Sequence, residues 1–393
     1  MKWNWSASLW VALLIVGVGC SRAVAGTESP VSVLCMEAER GLILHNEYGD
    51  MKRPPASMIK LMLMLLVVEG YERNDWHTET PISVSRLAEG MGGTQVYLNA
   101  GETWPLDHLL KAVTIASAND ASMAIAEGLW GSEAAYLKAA NARAKALGMK
   151  DTVINGVHGL PPDKGEPFDV TTAIDMAILA RACIEKPAIM EVVRQKEFQF
   201  RPEDSIKFNT NKLLWRMEDC DGLKTGFIRA AGFCIAASAT RDGRRLICII
   251  MGSQSKYGRF QLAEDTMNQY FDDYAEVRLL AKGDSIGISV PVTRGRADSI
   301  AISPAGDVTV EVPRQLLASV DIAAHHPATL QAPLQKETVI GELSVSLNGT
   351  QLSSTPLIVS EAVPSRGWYL SIEEGVARWK GLHEGAASAA QNQ

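Results

Sequence analysis

The sequence has few cysteines, and their spacing does not support two common ways of stabilising a protein. Six occur among 393 residues, none belongs to a C-x-x-C pair, and none lies with histidines at zinc-ligand spacing. The sequence therefore indicates neither a disulfide framework nor a metal site. Cys234 and Cys248 lie in two apolar segments that flank a turn. They are either a disulfide formed in an oxidising compartment or two buried thiols.

The chain also lacks an excess of positive charge, internal repeats and a second long apolar run. Its formal net charge is −7, and loss of a leader containing Lys2 and Arg22, with no acidic residue before Glu28, takes it to −9. An acidic chain is a poor candidate for binding nucleic acid. Beyond the leader, no apolar run is long enough to predict a membrane-spanning helix.

Residues 1–25 have the pattern of a secretory signal peptide. A charged start is followed by an apolar stretch from Leu9 to Val18 and by Ala23-Val24-Ala25, which fits an A-x-A cleavage site. The expected mature protein begins near Gly26 and is exported to the periplasm. In an alternative interpretation, Cys20 is the modified cysteine of a lipoprotein.

The remaining chain is too long for one typical core, which predicts two domains and a tail. Strands at both ends of residues 26–275, with helices between them, predict an α+β domain whose antiparallel sheet carries helices on its faces. Residues 276–363 alternate polar and apolar side chains, which predicts a small all-β domain. In the tail, residues 364–393, an amphipathic stripe between Trp368 and Leu382 predicts peripheral membrane contact, or else a helix docked on the β domain.

Individual elements are predicted from periodicity and turn residues. The pattern predicts helices over Trp104 to Ala112, Glu133 to Leu147 and Arg259 to Phe271, and strands over Leu223 to Phe227, Phe233 to Ala239, Leu246 to Met251 and Ser285 to Ile288.

The stretch around Ser57 carries the first chemical signal. Pro54-Pro55 favours a helix start, so Ser57 and Lys60 should lie on one face, nearly one turn apart. The following residues to Val68 are apolar on every side, which indicates a buried helix. Burial lowers the pKa of a lysine and lets its amine accept a hydroxyl proton. Taken alone, the pair would more often be a helix-capping serine and a lysine whose amine reaches solvent.

Two further motifs change that interpretation. Ser117-Ala118-Asn119 lies between predicted helices, and Lys224-Thr225-Gly226 lies on a predicted edge strand. The order S-x-x-K, S-x-N, K-T-G in an exported chain is specific. The sequence resembles the serine penicillin-recognising enzymes, and more narrowly the low-molecular-weight penicillin-binding proteins that act as D-alanyl-D-alanine carboxypeptidases. The resemblance covers nearly the whole mature chain.

The expected mechanism follows from these residue types. Ser57 is the expected nucleophile, and Lys60, buried and near the second cation Lys224, is its base. Ser117 is expected to relay a proton to the leaving amine. Asn119 is expected to orient Lys60 and to hydrogen-bond the substrate amide.

The edge strand is expected to bind substrate. Gly226 would leave room for a peptide lying along the strand. The resemblance implies an oxyanion hole formed by the backbone N–H groups of Ser57 and Phe227. Lys224, Thr225 and Arg259 are the candidates for holding a terminal carboxylate, and Arg259 matches the arginine with that role in the resembled enzymes.

The expected reaction is removal of the C-terminal D-alanine from peptidoglycan stem peptides, with acylation by β-lactams and no metal or organic cofactor. A DD-endopeptidase that cuts cross-links is one alternative, and an inactive wall-binding protein is another. Ala118 departs from the usual family glycine at little cost, because the chemistry needs only the flanking residues of that motif. Ile228 and Thr94 also depart from the usual family residues, which leaves fine substrate preference open. His158 is interpreted as bracing a loop, and Glu166 is given no role in deacylation.

Overall fold

The computed structural model describes residues 30–367. The predicted signal peptide with Cys20, and the segment from Trp368 to Leu382, lie outside the described residues. Within the described part of the chain, no helix is long and apolar enough to span a bilayer.

The first part of the described chain, residues 30–273, contains both helices and strands. The helices are α1 (Lys60–Arg73), α2 (Arg86–Glu89), α3 (Leu106–Lys111), α4 (Asn119–Trp130), α5 (Glu133–Leu147), α6 (Ala173–Ile184), α7 (Pro187–Val193), α8 (Leu213–Arg216) and α9 (Gly258–Asp273). The strands up to α9 are β1 (Ser32–Glu37), β2 (Leu42–Glu47), β3 (Pro81–Ser83), β4 (Thr103–Pro105), β5 (Glu197–Phe198), β6 (Lys207–Phe208), β7 (Cys220–Ile228), β8 (Gly232–Arg241) and β9 (Arg244–Ser253).

A five-stranded antiparallel sheet organises this part, in the order β2-β1-β9-β8-β7. Its strands come from both ends of the segment, and the helices lie between them in sequence. This confirms the predicted α+β fold. The strand that carries Lys224-Thr225-Gly226 is at the edge of the sheet, so one side of its backbone is open to a further strand.

The sheet separates two apolar cores. Side chains of β9 alternate between them: Ile247, Ile249 and Met251 join the core that contains α1 and α6, whereas Leu246, Cys248 and Ile250 join the core that contains α9. Cys234 belongs to the first core and Cys248 to the second. Both are buried free thiols. The disulfide alternative is therefore wrong, because the sheet lies between the two side chains.

Helix α1 lies in the first core, as its all-apolar sequence predicts. The residues from Lys60 to Val68 are buried. The helix ends at Asn74, whose φ of 61° is left-handed. By contrast, the predicted helix from Trp104 begins later, at Leu106. Trp104 lies in β4, and Pro105 holds the extended N-cap conformation before the helix.

After α9 the described chain is built of strands: β10 (Tyr274–Leu280), β11 (Ser289–Thr293), β12 (Ser299–Pro304), β13 (Val308–Pro313), β14 (Val320–His325), β15 (Leu330–Gln331), β16 (Val339–Leu347) and β17 (Thr350–Val359). β10 pairs with β13, and the others form a sheet in the order β14-β16-β17-β12-β11-β15. The predicted all-β region is confirmed. Its buried side chains are continuous with the α9 core.

Two details of this region concern the predictions. The strand predicted over Ser285 to Ile288 is wrong: pairing starts at Ser289, because Gly287 has a φ of +73° that interrupts an extended chain. The predicted domain boundary after residue 275 falls within β10, and the division into two domains stays a prediction.

Candidate active site

Ser57 lies in a 3₁₀ turn, Ala56–Ile59, that leads directly into α1. The carbonyl of Pro55 accepts the N–H of Met58 at 3.3 Å, which closes this turn. Ser57 is partly exposed, whereas Lys60, the first residue of α1, is fully buried. The turn therefore presents the serine to solvent and directs the lysine into the core.

The amine of Lys60 lies within hydrogen-bond distance of three oxygens. Its Nζ is 2.8 Å from Ser57 Oγ, 2.7 Å from Asn119 Oδ1 and 2.8 Å from the carbonyl oxygen of His158. A neutral amine has two N–H donors and one lone pair. It can donate to the amide and the carbonyl while its lone pair accepts the Ser57 proton.

The electrostatic environment favours that neutral amine. Burial, and after it the nearby Lys224, hold the pKa of Lys60 well below its usual value. Asp169 and Asp120 act in the opposite direction by favouring the ammonium. Lys60 and Lys224 are thus both buried, and the charge of Lys224 acts on the Lys60 amine as the sequence led us to expect.

Ser117 and Asn119 lie where a π-helical turn, Ala112–Ala116, meets α4. Ser117 takes a left-handed φ of 61° and is buried. Asn119 is oriented at both ends, since its Oδ1 accepts from Lys60 and its Nδ2 donates to the carbonyl of Gly92 at 2.7 Å. A substrate amide would have to share or replace that second hydrogen bond.

The K-T-G segment of β7 packs against the Ser57 turn. A side-chain carbon at Gly226 would lie 2.8 Å from the Pro55 carbonyl oxygen and 3.1 Å from the Ser57 nitrogen. Glycine is therefore required here because β7 packs directly on the Ser57 turn. The sequence had indicated only that Gly226 leaves room for substrate. Phe227 is half exposed, and its ring stacks on Phe233 with centroids 4.2 Å apart.

Two cationic residues beside this site are buried: Lys224 on β7 itself and Arg259 at the start of α9. Burial and the neighbouring Arg259 lower the pKa of Lys224 to about 7. Burial also lowers the pKa of Arg259 to about 10. Arg259 Nη1 donates to the carbonyls of Gly226 and Cys234 at 3.0 and 3.1 Å. These bonds tie the start of α9 to the edge strand β7 and to its neighbour β8.

Most of the predicted site residues line one cavity of about 310 Å³. Its lining residues are Ser57, Thr94, Ser117, Phe208, Asn209, Thr210, Lys212, Thr225, Gly226, Phe227, Lys256 and Arg259. None of these described lining residues is acidic.

Sequence reasoning assigned no role to the segment from Phe208 to Lys212 or to Lys256. Lys212 Nζ lies 4.6 Å from the centroid of Trp215 and 5.6 Å from that of Phe208. Partial burial and then Lys256 lower the pKa of Lys212. These lysines carry no motif of their own, and the resemblance covered them only as parts of longer segments.

The backbone of His158 was also missed, because a carbonyl group has no sequence signature. Its oxygen lies 2.8 Å from Lys60 Nζ and 3.4 Å from Ser57 Oγ. The ring itself accepts the N–H of Leu160 at 3.1 Å through Nδ1, and burial lowers its pKa to about 4. The neutral ring braces the loop, as predicted. Glu166 lines a different cavity from Ser57.

In the described part of the chain, no cluster of three or more histidine, cysteine, aspartate or glutamate side chains is arranged to hold a metal ion.

The chain is similar in sequence to known proteins over nearly its whole length. Residues 23–255 match the family model described as D-alanyl-D-alanine carboxypeptidase, and residues 274–365 match that of the penicillin-binding protein 5 C-terminal domain. D-alanyl-D-alanine carboxypeptidase DacF of Bacillus subtilis is 29% identical over 352 residues, which cover 88% of this chain and 89% of that protein. DacC of Escherichia coli is 30% identical over 347 residues, 86% of this chain and 84% of that protein.

A solved structure agrees with the sequence matches. Penicillin binding protein 5 from Haemophilus influenzae superposes with a TM-score of 0.65 at 26% identity, covering 87% of this chain and 100% of that chain.

Proposed function

Because the chain belongs to the D-alanyl-D-alanine carboxypeptidase family, it is a serine-type D-Ala-D-Ala carboxypeptidase, and we propose that Ser57 forms its acyl-enzyme. The enzyme removes the C-terminal D-alanine from peptidoglycan pentapeptide stems. The observation that carries the proposed roles is the Lys60 amine, buried and 2.8 Å from Ser57 Oγ.

The first step is attack of Ser57 Oγ on the carbonyl carbon between the two D-alanines. Lys60 accepts the hydroxyl proton while its N–H groups donate to Asn119 and to the His158 carbonyl. The backbone N–H groups of Ser57 and Phe227 stabilise the oxyanion. Collapse of this intermediate breaks the C–N bond, and Ser117 passes the proton to the departing amine. Water then hydrolyses the ester.

Substrate binding uses the open edge of β7 and the cations of the cavity. The acyl part of the peptide lies along the strand beside Gly226 and Phe227. Lys224, Thr225 and Arg259 hold the terminal carboxylate. The absence of acidic groups among the described lining residues supports this assignment. It favours a substrate with a free carboxylate next to the scissile bond.

The same nucleophile, Ser57, accounts for the expected reaction with β-lactams. β-Lactams acylate Ser57, since the family includes penicillin-binding proteins.

The protein is exported through the predicted leader to the periplasm. It lies peripherally on the outer face of the cytoplasmic membrane, held by the segment from Trp368 to Leu382. Loss of membrane retention on removal of residues 368–393, measured by fractionation, would support that anchor.

The deciding experiment measures D-alanine release from a purified pentapeptide muropeptide by the mature chain and by Ser57→Ala. Release by the wild type alone supports both the reaction and the nucleophile. Cleavage of a cross-linked dimer, without release from the pentapeptide, would instead favour the endopeptidase. No cleavage of either substrate by a folded wild-type protein would favour the wall-binding role.

A further inference from the structure

The loop from Asn155 to Gly159 brings a backbone carbonyl against the Ser57–Lys60 pair. The His158 oxygen contacts Lys60 Nζ, and the loop backbone packs on the Ser57 turn so closely that a side-chain carbon at Gly159 would lie 2.2 Å from the Ala56 carbonyl oxygen. A small displacement of this loop would therefore change the geometry of the amine and the hydroxyl.

Asp169 fixes the start of that loop. Its Oδ1 accepts the N–H of Asn155 at 2.6 Å and the N–H of Gly156 at 2.9 Å, and the residue is only 6% exposed. Its neighbour Val170 pairs with Val153 through two backbone hydrogen bonds. The carboxylate is thus held by the protein and in turn orients the residues that lead to His158.

The charge of Asp169 also affects the protonation of Lys60. The titratable groups that face Lys60 are Lys224 on β7, Asp120 at the start of α4, the His158 ring on the loop and Asp169. Of these, the two carboxylates favour the ammonium form.

The protonation state of Asp169 itself depends on pH. Glu133 and the buried Tyr136, both on α5, and Lys60 face it, and burial raises the pKa of Asp169 to about 6. It lines a cavity of about 370 Å³ together with Glu133 and His158, through which protons can reach it.

We propose that Asp169 is a positioning residue for the reaction, whose carboxylate orients the loop that carries the His158 carbonyl and whose negative charge stabilises the ammonium that Lys60 becomes when it takes the Ser57 proton. The inference rests on the proposed roles of Ser57 and Lys60. The two actions are separable, because Asp169→Asn keeps an oxygen acceptor for the two N–H groups but removes the charge, whereas Asp169→Ala removes both.

The test is the pH profile of Ser57 acylation by a fluorescent penicillin, and of kcat/KM for D-alanine release, in the mature enzyme. Without the charge, Lys60 loses its proton more easily, so the acid limb of Asp169→Asn should lie about half a pH unit or more below that of the wild type. The two profiles should converge well below pH 6, where the wild-type carboxyl is itself protonated. Asp169→Ala should lose about tenfold or more at the plateau, and Asp169→Asn less.

Asp175→Asn is the matched control. Asp175 is an equally buried carboxylate, and its Oδ2 accepts from Asp151 N and Thr152 Oγ1, but it is not among the groups that shift Lys60. Its acid limb should coincide with that of the wild type. An unshifted limb in Asp169→Asn, or equal losses in both Asp169 variants at every pH, would overturn the proposal. If the wild type is acylated by penicillin but releases no D-alanine, the proposed reaction is refuted. The pH profile of acylation would still test the role of Asp169.

Discussion

The amine of Lys60 and the hydroxyl of Ser57 lie 2.8 Å apart at the start of one helix, with the lysine fully buried and the serine partly open to the cavity. A base in this place must be able to lose its proton. Burial and the second cation Lys224 lower the pKa of Lys60 for that purpose.

Lys60→Arg should therefore abolish acylation, because a guanidinium keeps its proton at every pH at which the enzyme is folded. The rate constant for labelling by a fluorescent penicillin should fall by about a hundredfold or more. Ser57→Ala, which has no nucleophile, sets the background. Labelling of a folded Lys60→Arg protein within tenfold of the wild type would show that another group is the base.

Lys224 predicts a pH dependence of substrate binding. Its pKa of about 7 in the folded protein means that the cation is present below this pH and is lost above it. If the cation holds the terminal carboxylate, KM for a D-Ala-D-Ala peptide should rise as the pH increases from 6 to 9. Lys224→Arg stays charged over this range, so its KM should vary less. A wild-type KM that is constant across the range would remove Lys224 from the carboxylate site.

Much of the site could be predicted because its chemistry is carried by side chains at short, regular spacings. The buried helix after Ser57, the edge position of Lys224-Thr225-Gly226 and the helix that ends before Gly148 all follow from local patterns. Whether Cys234 and Cys248 share a face depends on the register of β8 against β9, in which Ala237 rather than Cys234 lies opposite Cys248. That information is not local, so the sequence left the disulfide open.

Other features had no side-chain signal at all. The His158 carbonyl enters the site because a distant loop packs on the Ser57 turn, and any residue can supply a carbonyl. Lys212 lines the cavity because the segment from Phe208 to Lys212 forms part of its wall. Its neighbours in sequence do not form a motif, and charged surface residues are common.

Lys212 yields a prediction about substrate charge. It lines the Ser57 cavity near Lys256, and it makes no ion pair with a described residue. Lys212→Met should raise KM for a peptide with a free terminal carboxylate by about three- to tenfold and leave kcat nearly unchanged, because a cation with no role in the proton transfers contributes mainly to binding. Added salt should weaken binding less in the variant than in the wild type.

The control for that measurement is Lys207→Met. Lys207 is also a lysine near an aromatic ring, with Nζ 5.8 Å from the centroid of Tyr97, but it does not line the cavity. Its KM should remain close to the wild-type value. Equal effects of the two substitutions would indicate a general loss of positive charge rather than a contact with substrate.

Gly226→Ala tests the contact between the edge strand and the nucleophile turn. The added carbon would lie 2.8 Å from the Pro55 carbonyl oxygen and 3.1 Å from the Ser57 nitrogen, so the strand must move away from the turn. Overpacking of this kind typically lowers the free energy of unfolding by about 1 to 3 kcal/mol. Because the proposed oxyanion donors, Ser57 and Phe227, lie on the two sides of this contact, kcat should fall by about a hundredfold.

Denaturant unfolding and D-alanine release separate these two effects, and Gly306→Ala is the matched control. A side-chain carbon at Gly306 would meet no atom within 4 Å, and its φ is not in the left-handed range. This variant should keep wild-type stability and activity. If Gly226→Ala were destabilised yet fully active at a temperature where it is folded, the spacing between the edge strand and the Ser57 turn would not control the reaction, and the oxyanion site would have to lie elsewhere.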